Sequence, residues 1–402
     1  MDSRLLAILA VSMVIAIGAR QLRLPYTVGL VFVGAALSFS PIDFGVELTH
    51  DLVFGLLLPP QLCESALSLH WQELKADLAP ILLLSIVGTA MAAALVAAGM
   101  VFLLGWPMPP ALLFGTLIAA TDPVAVIAML KDNGVKGRLR LLIESESLFN
   151  DGIAAVLFAL ALTWAQSGGD APDPGQVLGG LVLTAAGGIG VGLASGLVIV
   201  GITGRTTDHL VEAALTMVAA YGSFALAEQL GVSGVLATVS AGLLLGSMDR
   251  LWQGRGRALS LKGREVTLSF WEFVAFLANS ILFPLIGARI AEARLSVAEA
   301  AMPAAVVALV LLSRALTVYP LSLPFHRSKR AIPLGQQHVM WWGGLRGALG
   351  LALALSVPAS LPYRDEIVFA TFIAVAFSIV VQGLTMPFLL RAADIAPRRS
   401  SR

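Results

Sequence analysis

Long apolar runs alternate with short polar connections along the whole chain. Thirteen runs stand out, at 5–19, 26–42, 47–69, 78–104, 110–130, 141–166, 176–203, 207–229, 233–248, 267–288, 296–320, 333–357 and 366–390. About 20 apolar residues span a bilayer as an α-helix. A helix satisfies its own backbone hydrogen bonds where no water is available. The pattern therefore predicts an all-α, polytopic membrane protein of about 13 transmembrane helices, a single transporter domain over residues 1–402. The connections leave no room for an extramembrane domain, which argues against a receptor or an anchored soluble enzyme.

Two runs are interrupted in the middle. In the fifth, Thr121-Asp122-Pro123 sits at mid-depth. Pro123 has no N–H to donate and pushes Asp122 away from helical geometry. In the twelfth, Gly343, Gly344, Gly347 and Gly350 surround Arg346. Irregular backbone at that depth is tolerated only inside protein or beside a water-filled cavity. With runs 1–6 (residues 1–166) and 8–13 (residues 207–402) taken as halves and 176–203 as a linking helix, both breaks fall in the fifth run of their half. The offset of seven runs is odd, so the halves have opposite topology. Such an inverted repeat, with two broken, crossing helices, places a transport site near the midplane. Gly188, Gly192 and Gly196 in the linking run form a small-residue stripe that predicts close helix packing.

Composition supports the membrane class. The chain is 57% hydrophobic and 13% charged, against about 25% charged in soluble domains. Basic residues divide 20 to 4 between alternate connections, with Arg314 and Arg346 inside runs. The positive-inside rule then puts the N-terminus outside and the C-terminus in the cytoplasm of a cell inner membrane. The first run lacks a charged leader and a small-residue cleavage site, and reads as a retained span. A single cysteine, Cys63, excludes an intramolecular disulfide. The five histidines show no zinc-binding spacing. No nucleophile-elbow or metalloprotease motif points to an enzyme.

Charges inside spans are costly and mark function. The densest cluster is Glu144-Ser145-Glu146-Ser147-Leu148-Phe149-Asn150-Asp151-Gly152. Ser147 and Asp151 are four apart and share a helix face with Glu144; Glu146 and Asn150 form a neighbouring pair. Asp151 can thus present a carboxylate beside a hydroxyl oxygen. A small hard cation takes oxygen ligands in place of its hydration shell. The same carboxylate binds a proton, and competition of the two for one group is enough chemistry for exchange. Glu64, after Pro59-Pro60 in the third run, either lines or gates an ion path or makes a structural hydrogen bond. Arg346 reads as structural, paired with a carboxylate that holds the broken helices. Arg314, Glu212, Glu228 and Glu272 read as packing or interfacial charges.

Taken together, Leu58-Pro59-Pro60 with Glu64, Ala120-Thr121-Asp122-Pro123-Val124-Ala125-Val126, Glu146-Ser147-Leu148-Phe149-Asn150-Asp151-Gly152, Phe270-Trp271-Glu272-Phe273 and Gly343-Gly344-Leu345-Arg346-Gly347-Ala348 resemble the NhaP-type, NHE-like sodium/proton antiporters, in order and over nearly the whole chain. The resemblance implies an NhaA-like antiporter fold, sodium transport and a role in pH homeostasis. It implies Asp151 as the carrier of Na+ (or Li+ or K+) and H+, supported by Asp122, Thr121, Ser147 and Glu64. The cation itself would sit at Asp151, Ser147 and Thr121. Asn150 is implied to hold the broken helices, and Arg346 to pair with Glu146. Asn150 before the carrier aspartate implies electroneutral exchange. The family forms homodimers in membrane lipid, and no cofactor, nucleic acid or organic substrate is implied. Gln61 and Cys63-Glu64-Ser65 stand where many relatives are more apolar, and the long cytoplasmic tail of animal relatives is not expected. The alternative, a sodium-coupled symporter of an organic anion on a related broken-helix fold, needs room for its substrate, and the compact acidic site argues against it.

Overall fold

The computed structural model of the chain describes residues 9–15, 17, 18, 26–38, 48–132, 134, 135, 137–167, 173–206, 208–251, 259–292 and 301–395. Among these residues every regular element is helical, as the apolar runs require. Residues 9–15, 17 and 18 are helical; the remainder of the first run lies outside the described residues. The elements that follow are α1 (Tyr26–Ser38), α2 (Leu58–Ser68), α3 (Thr89–Leu104), α4 (Met108–Ala119), α5 (Val124–Asp132), α6 (Arg138–Gln166), α7 (Pro174–Thr203) and α8 (His209–Gln229). After them come α9 (Gly234–Leu251), α10 (Leu261–Glu292), α11 (Ala301–Ser322), α12 (Leu334–Trp342), α13 (Ala348–Ser356), α14 (Arg364–Phe377) and α15 (Gly383–Ala392). Eight stretches are long and apolar enough to cross a membrane, and Tyr26–Ser38 and Gly234–Ser247 are shorter apolar helices. Large apolar side chains such as Phe102, Leu183, Leu197 and Phe388 point outward, as lipid-facing residues must.

Several predicted runs differ in detail. α9 and α10 run beyond the apolar segments 233–248 and 267–288, because their polar ends continue the helix past the hydrophobic stretch. In the third run the helix continues through Pro59-Pro60. The prolines occupy the first turn of α2, where an N–H is dispensable. The wide turn Asp51–Leu57 precedes them, its hydrogen bonds slipped by one residue: the Leu58 N–H reaches the Val53 carbonyl.

The helices form two sets of close neighbours, joined through α6, which packs on α7 and α9 as well as on α4. α7 lies on α8 and α9, α9 and α10 on α2, and α10 on α1; separately, α3 lies on α4 and α11, and α4 on α6. Small residues bring backbones together within the first group. A Cβ on Gly192 would fall on the Ala237 carbonyl of α9, and one on Gly188 would crowd Ser233. Gly34 of α1 meets Pro284 of α10, and Gly287 of α10 meets Val31 of α1, in the same reciprocal way. Without a hydrophobic driving force between helices in lipid, such close approach supplies the attraction. Gly192→Val should force α7 from α9 at a cost of about 1–3 kcal/mol. Thermal melting in detergent checks this, and an unchanged melting temperature would mean that the two helices separate freely.

Candidate functional site

The two interrupted runs become pairs of half-helices that meet at their breaks. α4 ends at Ala119 and α5 begins at Val124; α12 ends at Trp342 and α13 begins at Ala348. The extended stretches between them are tied by one backbone hydrogen bond, from the Asp122 N–H to the Leu345 carbonyl at 2.7 Å. Gly347 lies directly against Asp122, where a Cβ would overlap the aspartate side chain. Glycine at 347 is therefore what lets the two breaks cross.

Breaking a helix leaves carbonyls and amides without partners, and several of them are met by side chains. Arg346 Nη1 donates to the carbonyls of Ala119 and Ala120 at 2.9 and 3.0 Å, closing the end of α4. Arg314 Nη2 donates to Met340 at 3.2 Å, and Gln382 Nε2 to Trp342 at 2.8 Å, closing α12. Each guanidinium so stands at the negative end of a half-helix dipole. At the start of α5, Asp122 Oδ1 accepts from the Val124 N–H at 2.9 Å and caps that helix.

α6 runs behind the crossing and pins it. Both ends of the Asn150 amide engage Thr121: Nδ2 donates to Thr121 Oγ1 at 2.7 Å, and Oδ1 accepts from the Thr121 N–H at 3.3 Å. Ser147, one turn earlier, shares a hydrogen bond with Thr121 Oγ1 at 2.9 Å. Asp151 follows Asn150 and turns to a small cavity of about 30 Å3, room for a bare cation with a little water. Asp151, Asp122 and Thr121 share its wall with Gln61 and Ser65 of α2 and the backbone of Gly347. Two carboxylates, two hydroxyls and an amide thus converge where the helices are broken, a donor set that suits a hard monovalent cation.

The transmembrane sodium/hydrogen exchanger family model matches residues 7–392. The chain belongs to that family. It is 39% identical over 381 residues to the Na(+)/H(+) antiporter ApNhaP of Aphanothece halophytica, covering 94% of this chain and 72% of the relative. It is 37% identical over 399 residues to the low-affinity Na(+)/H(+) antiporter NhaS1 of Synechocystis, covering 97% and 74%. Its fold is similar to that of the sodium proton antiporter MjNhaP1 from Methanocaldococcus jannaschii, with a TM-score of 0.75 and 21% identity over 96% of each chain. The exchanger is thus a multi-pass membrane protein with the antiporter fold.

Not every candidate residue of the exchanger lies on the cavity wall. Ser147 sits behind Thr121, reached through the shared hydrogen bond. Glu64 is not among the lining residues; it lies within electrostatic reach of Glu144, Glu272, Arg140 and Lys131. Glu144 itself is held by the Ser68 hydroxyl at 2.8 Å and by Arg140 at 3.3 Å. Glu272 faces Lys131 at 3.6 Å, both largely exposed. Glu212 and Glu228 serve as helix caps, accepting from Ser260 and Gly234.

One expectation is corrected. Glu146 pairs with Arg314, through Nη1 at 2.5 Å and Nη2 at 2.8 Å, and not with Arg346. Arg314, read from sequence as a packing charge, is the residue missed. A lone arginine within the run 296–320 was the available signal, since a buried guanidinium needs a carboxylate. The reason for the exchange of partners is geometric: the guanidinium of Arg346 is occupied by the carbonyls of the broken α4. A double-mutant cycle tests this assignment. Arg314→Ala should cost about 3–5 kcal/mol by stranding Glu146, and Arg314→Met combined with Glu146→Gln should regain most of it. Stronger coupling of Glu146 to Arg346 than to Arg314 would reverse the assignment.

Proposed function

We propose that this exchanger moves one monovalent cation, Na+ with Li+ or K+ as further candidates, against one proton, both carried in turn by Asp151. The observation that carries the reading is the cavity in which Asp151, Asp122 and Thr121 face one another at the crossing of two broken helices. The exchange balances without a cofactor: the protonated carboxyl group gives up H+ as the cation arrives, and takes H+ back as the cation leaves. Thr121 supplies hydroxyl oxygen near the cation, Ser147 fixes that hydroxyl from behind, and Asp122 adds charge while capping α5. Glu64 acts outside the cavity, on the approach to it. Asn150 and Arg346 hold the backbone that frames the site, and Glu146 balances the charge of Arg314.

The cycle is electroneutral in this reading, because one carboxylate carries either ion and both half-cycles move the same net charge. Alternating access moves one set of helices against the other. The protein sits in the cell inner membrane with its N-terminus outside and its C-terminus in the cytoplasm, supported by the 20-to-4 division of basic residues. It works as a homodimer within the lipid. The sparsely covered apolar face of α7, with Leu183 and Leu197 outward, is available for that contact. The rival reading, a symporter of an organic anion, finds no support in a cavity this small or in the relatives, which are named Na(+)/H(+) antiporters.

Asp151→Asn should abolish sodium-dependent proton flux in proteoliposomes while leaving melting behaviour intact, since the amide keeps the shape but carries neither ion. Retained flux would remove Asp151 from the carrier role. In the wild type, apparent Na+ affinity should weaken steadily as pH falls, because protons then fill the shared carboxylate. The steady-state ion gradient should not move when membrane potential is imposed with potassium and valinomycin and Na+ or Li+ is the substrate; a shift would demand a second proton.

A further inference from the structure

The wall of the cavity opposite Asp151 belongs to α2, and it is not purely apolar. Gln61 and Ser65 are four residues apart, share one helix face, and both line the cavity together with Asp122 and Asp151. The terminal nitrogen of Gln61 is buried and has no hydrogen-bond partner among the described residues. A buried amide with an unpaired donor is costly to keep. The neighbouring neutral side chains on α6 and at the α4–α5 break are engaged: Asn150 is bound at both ends of its amide, and Thr121 by two side chains. Gln61, by contrast, lines the cavity with its amide nitrogen unpaired.

An amide offers an acceptor at one end and two donors at the other, and half a turn about its last bond exchanges them. Since the Gln61 nitrogen gives up no protein hydrogen bond, that turn costs little. With a cation in the cavity, the carbonyl oxygen of Gln61 can face it. With the cation gone, the N–H groups can face a carboxylate oxygen of Asp122 or Asp151. Ser65, one turn along α2, can present its hydroxyl oxygen to the same occupant. α2 packs with α9 and α10, whereas Asp151 lies on α6, which packs with α4. The cavity wall is therefore shared between α2 and α6.

We propose that Gln61 and Ser65 are cation ligands and specificity-determining residues, which complete the oxygen cage from the α2 side and set the apparent affinity for Na+ relative to Li+. This rests on the reading of Asp151 as carrier.

The experiment measures apparent KM for Na+ and for Li+ and maximal rate in proteoliposomes for Gln61→Met, Ser65→Ala and Asp151→Asn. Methionine keeps the length of glutamine without an oxygen, and Ser65→Ala removes one hydroxyl. Loss of one neutral oxygen ligand should raise the KM for Na+ roughly fivefold, change the Na+ to Li+ ratio, and leave the maximal rate within about twofold. Gln61→Glu, which restores an oxygen, should bring the KM for Na+ back toward or below the wild-type value. Unchanged KM and ratio in both Gln61→Met and Ser65→Ala, or a fall in maximal rate alone, would overturn the proposal. If Gln61→Met does not fold, Ser65→Ala decides by the same criterion. Asp151→Asn separates the two levels: its inactivity upholds the carrier reading whatever Gln61 does, and its activity sinks both.

Discussion

Every peptide group at the middle of a membrane needs a partner, and the whole site follows from how this chain provides partners after breaking two helices. The crossing is closed by the bond from Asp122 N–H to the Leu345 carbonyl, and by two buried arginines that each end a half-helix. Arg346 spends its guanidinium on α4 and Arg314 divides its own between α12 and Glu146. Because these charges are committed to backbone and to Glu146, Asp122 and Asp151 face the cavity without a basic side chain on its wall. A carboxylate locked in an ion pair could not release a proton and take up a cation in turn. Each arginine is thus engaged away from the two carboxylates that line the cavity, as the proposed carrier role of Asp151 requires.

The same constraint explains why small and polar residues cluster where they do. Gly347 leaves room for Asp122 at the crossing. Thr121 is fixed from three directions by Asn150 and Ser147. The neighbouring residues on α6 divide the work: Glu146 anchors α11, Asn150 holds the α4–α5 break, and Asp151 faces the cavity. Successive positions on a helix point about 100° apart, so a turn and a half of α6 reaches three different surroundings.

Much of this was legible in the sequence, because the rules of the bilayer are local. Apolar run length located the helices, and Thr121-Asp122-Pro123 and the Gly343–Gly350 cluster located both breaks. The spacing of Gly188 and Gly192 anticipated the close contact of α7 with α9. What sequence could not supply was the choice among equivalent long-range partners. Arg314 and Arg346 are both buried arginines, and only the three-dimensional crossing decides which reaches Glu146. Likewise Glu64 and Ser65 are adjacent in the chain, yet Ser65 lies on the cavity wall and Glu64 does not. The difference is one step of helix rotation, whose absolute phase depends on packing against α9 and α10.

The central claim is that proton and cation compete for one carboxylate, and it can be tested without transport. Purified wild-type protein in weakly buffered detergent solution, above the pH at which the site begins to deprotonate and below that at which it is empty of protons, is titrated with NaCl while released protons are counted with a pH indicator. Choline chloride serves as the ionic-strength control. Competition predicts proton release that saturates with Na+ occupancy, never exceeds one proton per bound cation, falls away at high pH, and is absent in Asp151→Asn. Saturable Na+ binding with no proton release at any pH, or undiminished release from Asp151→Asn, would contradict the account.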